Sequence, residues 1–134
     1  MGNWIPNDPT LVAQILRISS AYSPPPPAGF VSPMTWGVEE TVTERFAGAG
    51  VPAAQVSFER STYTFNYPGT PAQLLDVFRR YYGPTMDANA AAAASGREEE
   101  LQRELETLFN AQNASPTGDA TSIPATFLQV TVTV

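Results

Sequence analysis

The sequence of 134 residues contains no cysteine, no histidine and no lysine, and all seven of its basic residues are arginines. Disulfides, thiolate or imidazole metal ligands, a Schiff-base lysine and every nucleophile paired with histidine are therefore excluded. Any chemistry must use Asp, Glu, Tyr, Arg, Ser, Thr or backbone groups. Carboxylates alone can hold a metal ion, but no spacing of Asp and Glu here suggests such a site. We expect neither a cofactor nor a metal.

The chain also lacks a clustered basic surface and a long apolar run. Its net charge is −6 and its arginines are scattered, which argues against a nucleic-acid surface. No apolar stretch is long enough to span a membrane, and no charged-then-apolar segment marks a secretion signal. A hydrophobic content of 43% supports one buried core. We expect a single domain over residues 1–134, located in the cytoplasm, without nucleic-acid or membrane partners.

Apolar residues recur at helical spacing in the first third of the chain. Asp8-Pro9 predicts the N-cap and first position of a helix that ends near Tyr22, where the prolines 24–27 stop it. Leu11, Ile15 and Ile18 form its apolar face. A second, shorter helix is expected before the glycines at 48 and 50.

Three further helices are predicted after residue 70. Thr70-Pro71-Ala72-Gln73 is a capping box that opens a helix expected to end at Gly83-Pro84. The alanine-rich segment 86–94 is helical by propensity. Ser95-Gly96-Arg97-Glu98 is a second candidate capping box, for a helix whose apolar stripe includes Leu101, Leu105 and Phe109.

Two segments alternate as β-strands do. Residues 56–67 are rich in β-branched and aromatic types, but Val56 and Phe58 follow one parity whereas Tyr63, Phe65 and Tyr67 follow the other. A bulge between Glu59 and Ser61 would reconcile the two halves. Residues 128–134 alternate as a half-buried strand. These patterns predict an α+β fold with about five helices and two long strands; the small antiparallel sheet that the strands are expected to form follows from the resemblance described next.

Several short motifs follow one another in an order that resembles a known family. The segment Phe78–Thr85 pairs two tyrosines at a helix end that Gly-Pro closes, and Asn3-Trp4-Ile5-Pro6 is similar to an "NWTP" motif. The other motifs, in chain order, are Tyr22 with Pro24–Pro27, Ser32–Gly37, Phe58–Arg60, Tyr63–Pro68 and Ile123–Val134. Together they resemble the C-terminal half of class I S-adenosylmethionine-dependent small-molecule methyltransferases, from the segment after the fifth strand to the seventh strand.

The resemblance implies a truncated α/β methyltransferase-like domain whose two long strands are antiparallel neighbours. This family carries its cofactor site in the half that precedes "NWTP", and Met1-Gly2 stands in its place here. The resemblance therefore implies that the chain alone does not bind S-adenosylmethionine in the usual way. Two strands make a poor sheet by themselves. We expect a homodimer, or a partner chain, to cover the open sheet.

The resemblance also indicates where a substrate would lie. In the family, the segments after the fifth strand and before the sixth help to enclose the acceptor, and these correspond to residues 3–6 and 22–36. Aromatic side chains there suit a hydrophobic small molecule. The alternative is that they are simply core residues, because aromatic side chains bury large areas. The candidate substrate-binding residues are Trp4, Tyr22, Phe30, Trp36, Tyr81 and Tyr82.

Three polar residues are weak candidates for catalysis. Glu59 lies mid-strand where the alternation changes parity. Arg79 and Arg80 precede the tyrosine pair, and one of the two, here taken as Arg79, could anchor a carboxylate or enolate. A structural salt bridge is the alternative for Arg79. Tyr82 with a nearby carboxylate could act as a general acid–base pair without histidine.

These observations lead to one expected function and two alternatives. The first is a domain that binds a hydrophobic or aromatic biosynthetic intermediate and promotes a cofactor-independent cyclisation, isomerisation or dehydration. The second is a non-catalytic accessory or substrate-recognition subunit. The third is the complementing half of a split methyltransferase.

Overall fold

The computed structural model of the protein describes residues 1–134 and contains five α-helices and three β-strands. Two short 3₁₀-helices, Pro33–Gly37 and Ala53–Gln55, flank the second α-helix. The predicted α+β class and the number of helices are confirmed. In chain order the elements are β1 (Gly2–Trp4), α1 (Leu11–Tyr22), α2 (Glu39–Gly48), β2 (Val56–Tyr67), α3 (Pro71–Tyr81), α4 (Gly83–Ala94), α5 (Glu98–Gln112) and β3 (Thr121–Val132).

The sheet has the strand order β1-β3-β2 and is antiparallel throughout. β2 and β3 pair along their whole length, from Val56 opposite Val132 to Tyr67 opposite Thr121. The two long strands are therefore antiparallel neighbours, as predicted. β1 adds a third strand on the other side of β3. The sequence did not indicate it, because three residues are too few to show alternation.

The predicted bulge between Glu59 and Ser61 is wrong, because the pairing of β2 with β3 is uninterrupted. Instead, one end of the β2–β3 pair is covered by helices on one face of the sheet, and the other end is covered by α2 on the opposite face. Odd-numbered residues of β2 and β3, such as Phe65 and Ile123, point to what we call the helical face, which packs against α1, α3 and α5. Even-numbered residues, such as Phe58, point to the α2 face. The change of parity therefore reflects a change in which face is buried.

The main core lies between the helical face and the four helices α1, α3, α4 and α5. The apolar stripes predicted for α1 and α5 are buried in it, including Leu11, Ile15, Leu101, Leu105 and Phe109, which are all fully buried. A smaller core of Ile5, Val42, Leu128 and Val130 lies under α2 on the other face. No helix is long and apolar enough to cross a bilayer.

The capping box at Thr70 is confirmed. The Thr70 side chain accepts a hydrogen bond from the Gln73 N–H (3.2 Å), and the Gln73 side chain accepts one from the Thr70 N–H (2.9 Å). The second predicted box is wrong. Ser95 instead ends α4, with its hydroxyl donating to the Ala91 carbonyl (3.0 Å), and Arg97 occupies the N-cap position of α5 without a side-chain cap.

The start of α1 is also displaced from its predicted position. The helix begins at Leu11 with Thr10 as N-cap, so Asp8 is not the N-cap residue. Asp8 still acts on this end, since its carboxylate accepts hydrogen bonds from the Thr10 N–H (2.9 Å) and the Thr10 hydroxyl. The same hydroxyl oxygen accepts from the Thr126 N–H of β3 (2.8 Å). This relay fixes the start of α1 against the sheet.

Candidate functional site

An apolar cleft of about 200 Å³ opens on the helical face between β1, β2, α1 and α3. We call it the aromatic cleft. None of its lining side chains carries a charge, and five of the seven are aromatic. The lining residues are Trp4, Val12, Phe65, Val77, Phe78, Tyr81 and Tyr82.

Rings packed edge to face build the floor of the aromatic cleft. The Phe78 ring lies 5.5 Å from Phe65, 5.5 Å from Tyr82 and 5.5 Å from Phe109, measured between centroids, with interplanar angles between 65° and 80°. This arrangement is the one that ring quadrupoles favour. Because Phe109 is fully buried, the floor is anchored in the main core. The cleft is therefore pre-formed.

Tyr82 is held by its own backbone at the junction of two helices. Its N–H donates to the Phe78 carbonyl (2.9 Å) and ends α3, while its carbonyl accepts from the N–H groups of Thr85 and Met86 (both 3.0 Å) and begins α4. Pro84 makes this break necessary, because it lacks the N–H that would continue α3. Thus α4 begins at Gly83, earlier than the predicted residue 86.

Two tyrosines line the aromatic cleft, Tyr82 half-buried in its wall and Tyr81 exposed at its mouth. Burial raises the pKa of Tyr82, with no contribution from a hydrogen bond or a nearby charge. The hydroxyl is therefore protonated at neutral pH and available to donate a hydrogen bond to a bound molecule.

Trp4 separates the aromatic cleft from a second cleft of about 240 Å³, which we call the β1 cleft. The β1 cleft is also lined by Gly2, Asn3, Tyr63 and Phe127. The Trp4 and Phe127 rings pack edge to face with centroids 6.1 Å apart. Tyr63 is 56% exposed at the rim. A molecule in either cleft contacts the Trp4 indole.

The structure brings together three of the six predicted substrate-binding residues: Trp4, Tyr81 and Tyr82. Tyr81 is 78% exposed at the mouth of the aromatic cleft, and the other two form its walls. Trp4 and the Tyr81-Tyr82 pair belong to two different motifs of the methyltransferase resemblance, which lie nearly eighty residues apart in the sequence. Their proximity in space was not evident from either motif alone.

The other three predicted residues lie elsewhere, so the pocket expected from the aromatic residues 4, 22, 30 and 36 does not form. Tyr22 packs between α1 and α5, and its hydroxyl donates to Glu104 (2.7 Å). Phe30 is 54% exposed in the segment that follows the prolines. Trp36 packs on the α2 face against Phe46, with the Arg45 guanidinium 4.4 Å from its ring centroid.

The candidate catalytic residues do not converge. Glu59 is exposed and lies opposite Gln129 in the sheet, outside the lining of both clefts. Arg79 forms an ion pair with Glu98 (3.2 Å), which is the structural alternative stated for it above. Of the three candidate catalytic residues, only Tyr82 lines the aromatic cleft. No group of three acidic side chains could hold a metal ion.

Sequence reasoning missed four lining residues, namely Val12, Phe65, Val77 and Phe78. Phe65 had a usable signal, since it shares the parity of Tyr63 and Tyr67 and therefore one face of the strand. Phe78 is a buried core residue of α3, and a residue can belong to the core and to the floor of a cleft at once. Val12 and Val77 carried no signal that distinguishes a cleft wall from a core position.

No protein-family model matches this chain, and no curated protein or solved structure is significantly similar to it. The functional inference below therefore depends on the geometry of the aromatic cleft. The methyltransferase resemblance stays a prediction.

Proposed function

We propose that the protein binds a small, flat, apolar or aromatic molecule in the aromatic cleft. The observation that carries this proposal is a pre-formed cleft with seven apolar lining residues and no charged one. Apolar lining with a small number of polar groups is typical of small-molecule sites. The hydroxyls of Tyr81 and Tyr82 are the polar groups of the lining residues, and a carbonyl or ether oxygen on the ligand is a suitable acceptor for them.

The volume limits the size of the ligand. Small-molecule sites usually enclose about 300–1,000 Å³, whereas the aromatic cleft encloses about 200 Å³. A ligand of one or two fused rings fits this space. A longer molecule would have to pass Trp4 and continue into the β1 cleft. Trp4 is therefore the residue that every such ligand touches.

The methyltransferase resemblance is compatible with this proposal. The resemblance implies that the chain corresponds to the substrate-enclosing part of such an enzyme. The antiparallel pairing of β2 with β3 agrees with what the resemblance implies for the two long strands. A cytoplasmic location stays a prediction.

Binding alone is better supported than catalysis. A cofactor-independent cyclisation, isomerisation or dehydration would have to depend on Tyr82 as a proton donor, because Glu59 and Arg79 lie outside the cleft lining. General acid–base catalysis normally needs a second group within hydrogen-bond reach of the substrate. We therefore propose a binding or substrate-recognition role, and a cofactor-independent reaction only as its extension.

Tryptophan fluorescence tests the proposal, since the chain has two tryptophans on opposite faces of the sheet. In the Trp36→Phe variant, Trp4 is the sole reporter and lies in the cleft. In Trp4→Phe, Trp36 reports from the α2 face. A suitable probe is 1,4-naphthoquinone, which is flat, bicyclic and uncharged and quenches indole emission, and the chain has no thiol or lysine side chain for it to modify.

Saturable quenching of Trp4 in Trp36→Phe, with only linear collisional quenching in Trp4→Phe, is the expected result. Val77→Phe narrows the cleft from a partly exposed lining position and adds no tryptophan, so it should weaken or abolish the saturable component while far-UV circular dichroism stays unchanged. Equal quenching of both tryptophans would overturn the assignment of the site. So would saturation that is unaffected by Val77→Phe.

A further inference from the structure

β2 forms one outer edge of the sheet over twelve residues. It pairs with β3 on one side and with no strand on the other. Natural edge strands are usually short, bulged, interrupted by proline or studded with charged side chains, lysine above all. β2 has an unbroken register and contains neither proline nor lysine; its charged residues are Glu59 and Arg60, which are opposite in sign. It is a template for another strand.

The alternation of backbone hydrogen bonds along β2 identifies which residues point their N–H and carbonyl groups toward the open edge. The Thr133 N–H donates to the Gln55 carbonyl (2.9 Å), directly beyond the paired strands. Because bonded and non-bonded pairs alternate in an antiparallel ladder, odd-numbered residues of β2 bond to β3. Even-numbered residues therefore present their N–H and carbonyl groups to the open edge. The outward residues are Val56, Phe58, Arg60, Thr62, Thr64 and Asn66. The Val56 N–H already donates to the Ala53 carbonyl, and no turn, loop or side chain takes up the other groups.

We propose that β2 pairs antiparallel with β2 of a second copy of this chain, about a two-fold axis at Ser61. Pairing through the even-numbered residues restricts the axis to a few registers. An axis at Arg60 would place the two Arg60 side chains directly opposite each other, which is destabilising. An axis at Thr62 would place Val56 opposite Pro68, which has no N–H to donate.

The axis at Ser61 avoids both problems and engages all six outward residues of each strand. It pairs Val56 with Asn66, Phe58 with Thr64, and Arg60 with Thr62. The six pairs of the dimer provide about ten backbone hydrogen bonds, two for each pair except the two between Val56 and Asn66, where the Val56 N–H is already bonded. In this register each outward residue of β2 lies opposite an outward residue of β2 in the second copy, and neither like charges nor a proline face each other. This match favours a second copy as the occupant.

The dimer would bring a new group to the rim of the β1 cleft. In this register Glu59 of each copy lies opposite Tyr63 of the other on the helical face, at a non-hydrogen-bonded position where side chains are closest. Tyr63 lines the β1 cleft, so the second copy would supply its rim with a carboxylate. The pairing itself stands independently of the proposed ligand binding.

Single cysteines test the register, because the chain has no cysteine of its own. Two Ser61→Cys residues would face each other across the axis at a Cα separation of about 4.5 Å, within the range for a disulfide. Oxidised glutathione would convert the two thiols to one disulfide and release two reduced glutathiones. The matched control is Ser57→Cys, whose copies would lie roughly 26 Å apart along the strands.

Rapid formation of a disulfide-linked dimer by Ser61→Cys, and none by Ser57→Cys at the same concentration, is the expected result. Faster cross-linking by Arg60→Cys or Thr62→Cys would overturn the register, and equal rates for 61 and 57 would indicate random collision. Sedimentation of the unmodified chain over a dilution series gives an independent readout. A mass of 14.4 kDa at every concentration would overturn the dimer.

Thr64→Pro removes an outward N–H without touching a bond to β3, and proline is tolerated at such edge positions. We expect it to shift the unmodified dimer to monomer while far-UV circular dichroism is retained. A folded Thr64→Pro variant that stays dimeric would contradict pairing through β2. Ligand quenching of Trp4, measured on the same samples, reports separately on the proposed binding function.

Discussion

Gly37 lies directly against the backbone of Trp4. A Cβ atom built on Gly37 would sit 2.0 Å from the Trp4 carbonyl oxygen, which is far inside van der Waals contact. Gly37 is buried at the end of the 3₁₀-helix Pro33–Gly37, on the α2 side of the sheet, whereas the Trp4 side chain forms a wall of the aromatic cleft. The absence of a side chain at residue 37 therefore helps to set the position of the cleft wall.

Gly37→Ala should destabilise the protein and displace β1. The obstructing atoms are backbone, so they cannot rotate away, and forced overpacking of this kind typically costs about 1–3 kcal/mol. Urea unfolding measures the loss. In the Trp36→Phe background, a red-shifted Trp4 emission would report the displaced wall.

Gly48→Ala is the matched control for that substitution. A Cβ atom on Gly48 meets nothing within 4 Å, and the residue is the last of α2. We expect this variant to unfold within about 1 kcal/mol of the unmodified protein. Equal losses from the two substitutions would show that the contact between Gly37 and Trp4 is not the cause.

Alkaline pH should weaken the fold through Tyr22. Burial, and then the hydrogen bond to Glu104, raise the pKa of Tyr22 to about 12. An unfolded tyrosine titrates near pH 10, so between these values the unfolded state releases a proton that the folded state retains. The contribution of Tyr22 to stability is fully present below about pH 10 and is lost as the pH rises toward about 12.

Urea midpoints measured from pH 8 upward check this dependence. Tyr22→Phe should flatten the decline at high pH, because phenylalanine has no proton to lose. Tyr81→Phe, which changes an exposed tyrosine, is the control and should keep the original decline. An unchanged decline in Tyr22→Phe would contradict the assignment.

Phe109 should dominate the stability of the main core. It is fully buried and packs edge to face on Phe78 at 5.5 Å, beneath the floor of the aromatic cleft. Phe109→Ala is expected to cost about 3–5 kcal/mol. Phe30→Ala removes the same atoms from a residue that is 54% exposed, and should change the free energy of unfolding by less than about 0.5 kcal/mol. Comparable losses would contradict the burial of Phe109.

Local patterns predicted the helices well because each pattern depends on residues that are close in sequence. The apolar stripes of α1 and α5, and the class of the fold, followed from periodicity alone. The odd-or-even position of the apolar residues in β2 was harder to interpret. The sequence showed that residues 56–58 and 63–67 alternate out of phase, but a bulge and a change of covered face produce the same pattern. Only the long-range packing of α2 distinguishes them.

The candidate site was predicted in part for the same reason. Each motif identified aromatic residues, but their grouping depends on contacts between segments distant in sequence. Trp4 reaches Tyr82 because β1 pairs with β3, and a three-residue strand leaves no periodic signal. Trp36 is nearer to Trp4 in the sequence than Tyr82 is, but it lies on the opposite face of the sheet. Sequence order could not show on which side of the sheet each aromatic lies.

The two candidate capping boxes test whether a local sequence pattern is enough to locate the start of a helix, because they look alike in sequence and differ in structure. Thr70→Ala removes a reciprocal cap on α3, and such losses typically cost about 1 kcal/mol. Ser95→Ala removes only a hydroxyl that donates to carbonyls already bonded at the end of α4, so we expect less than about 0.5 kcal/mol. Paired urea unfolding curves measure both. A larger loss at residue 95 than at residue 70 would mean that the cap of α5 is at Ser95 after all, and that the helix starts where the sequence pattern placed it.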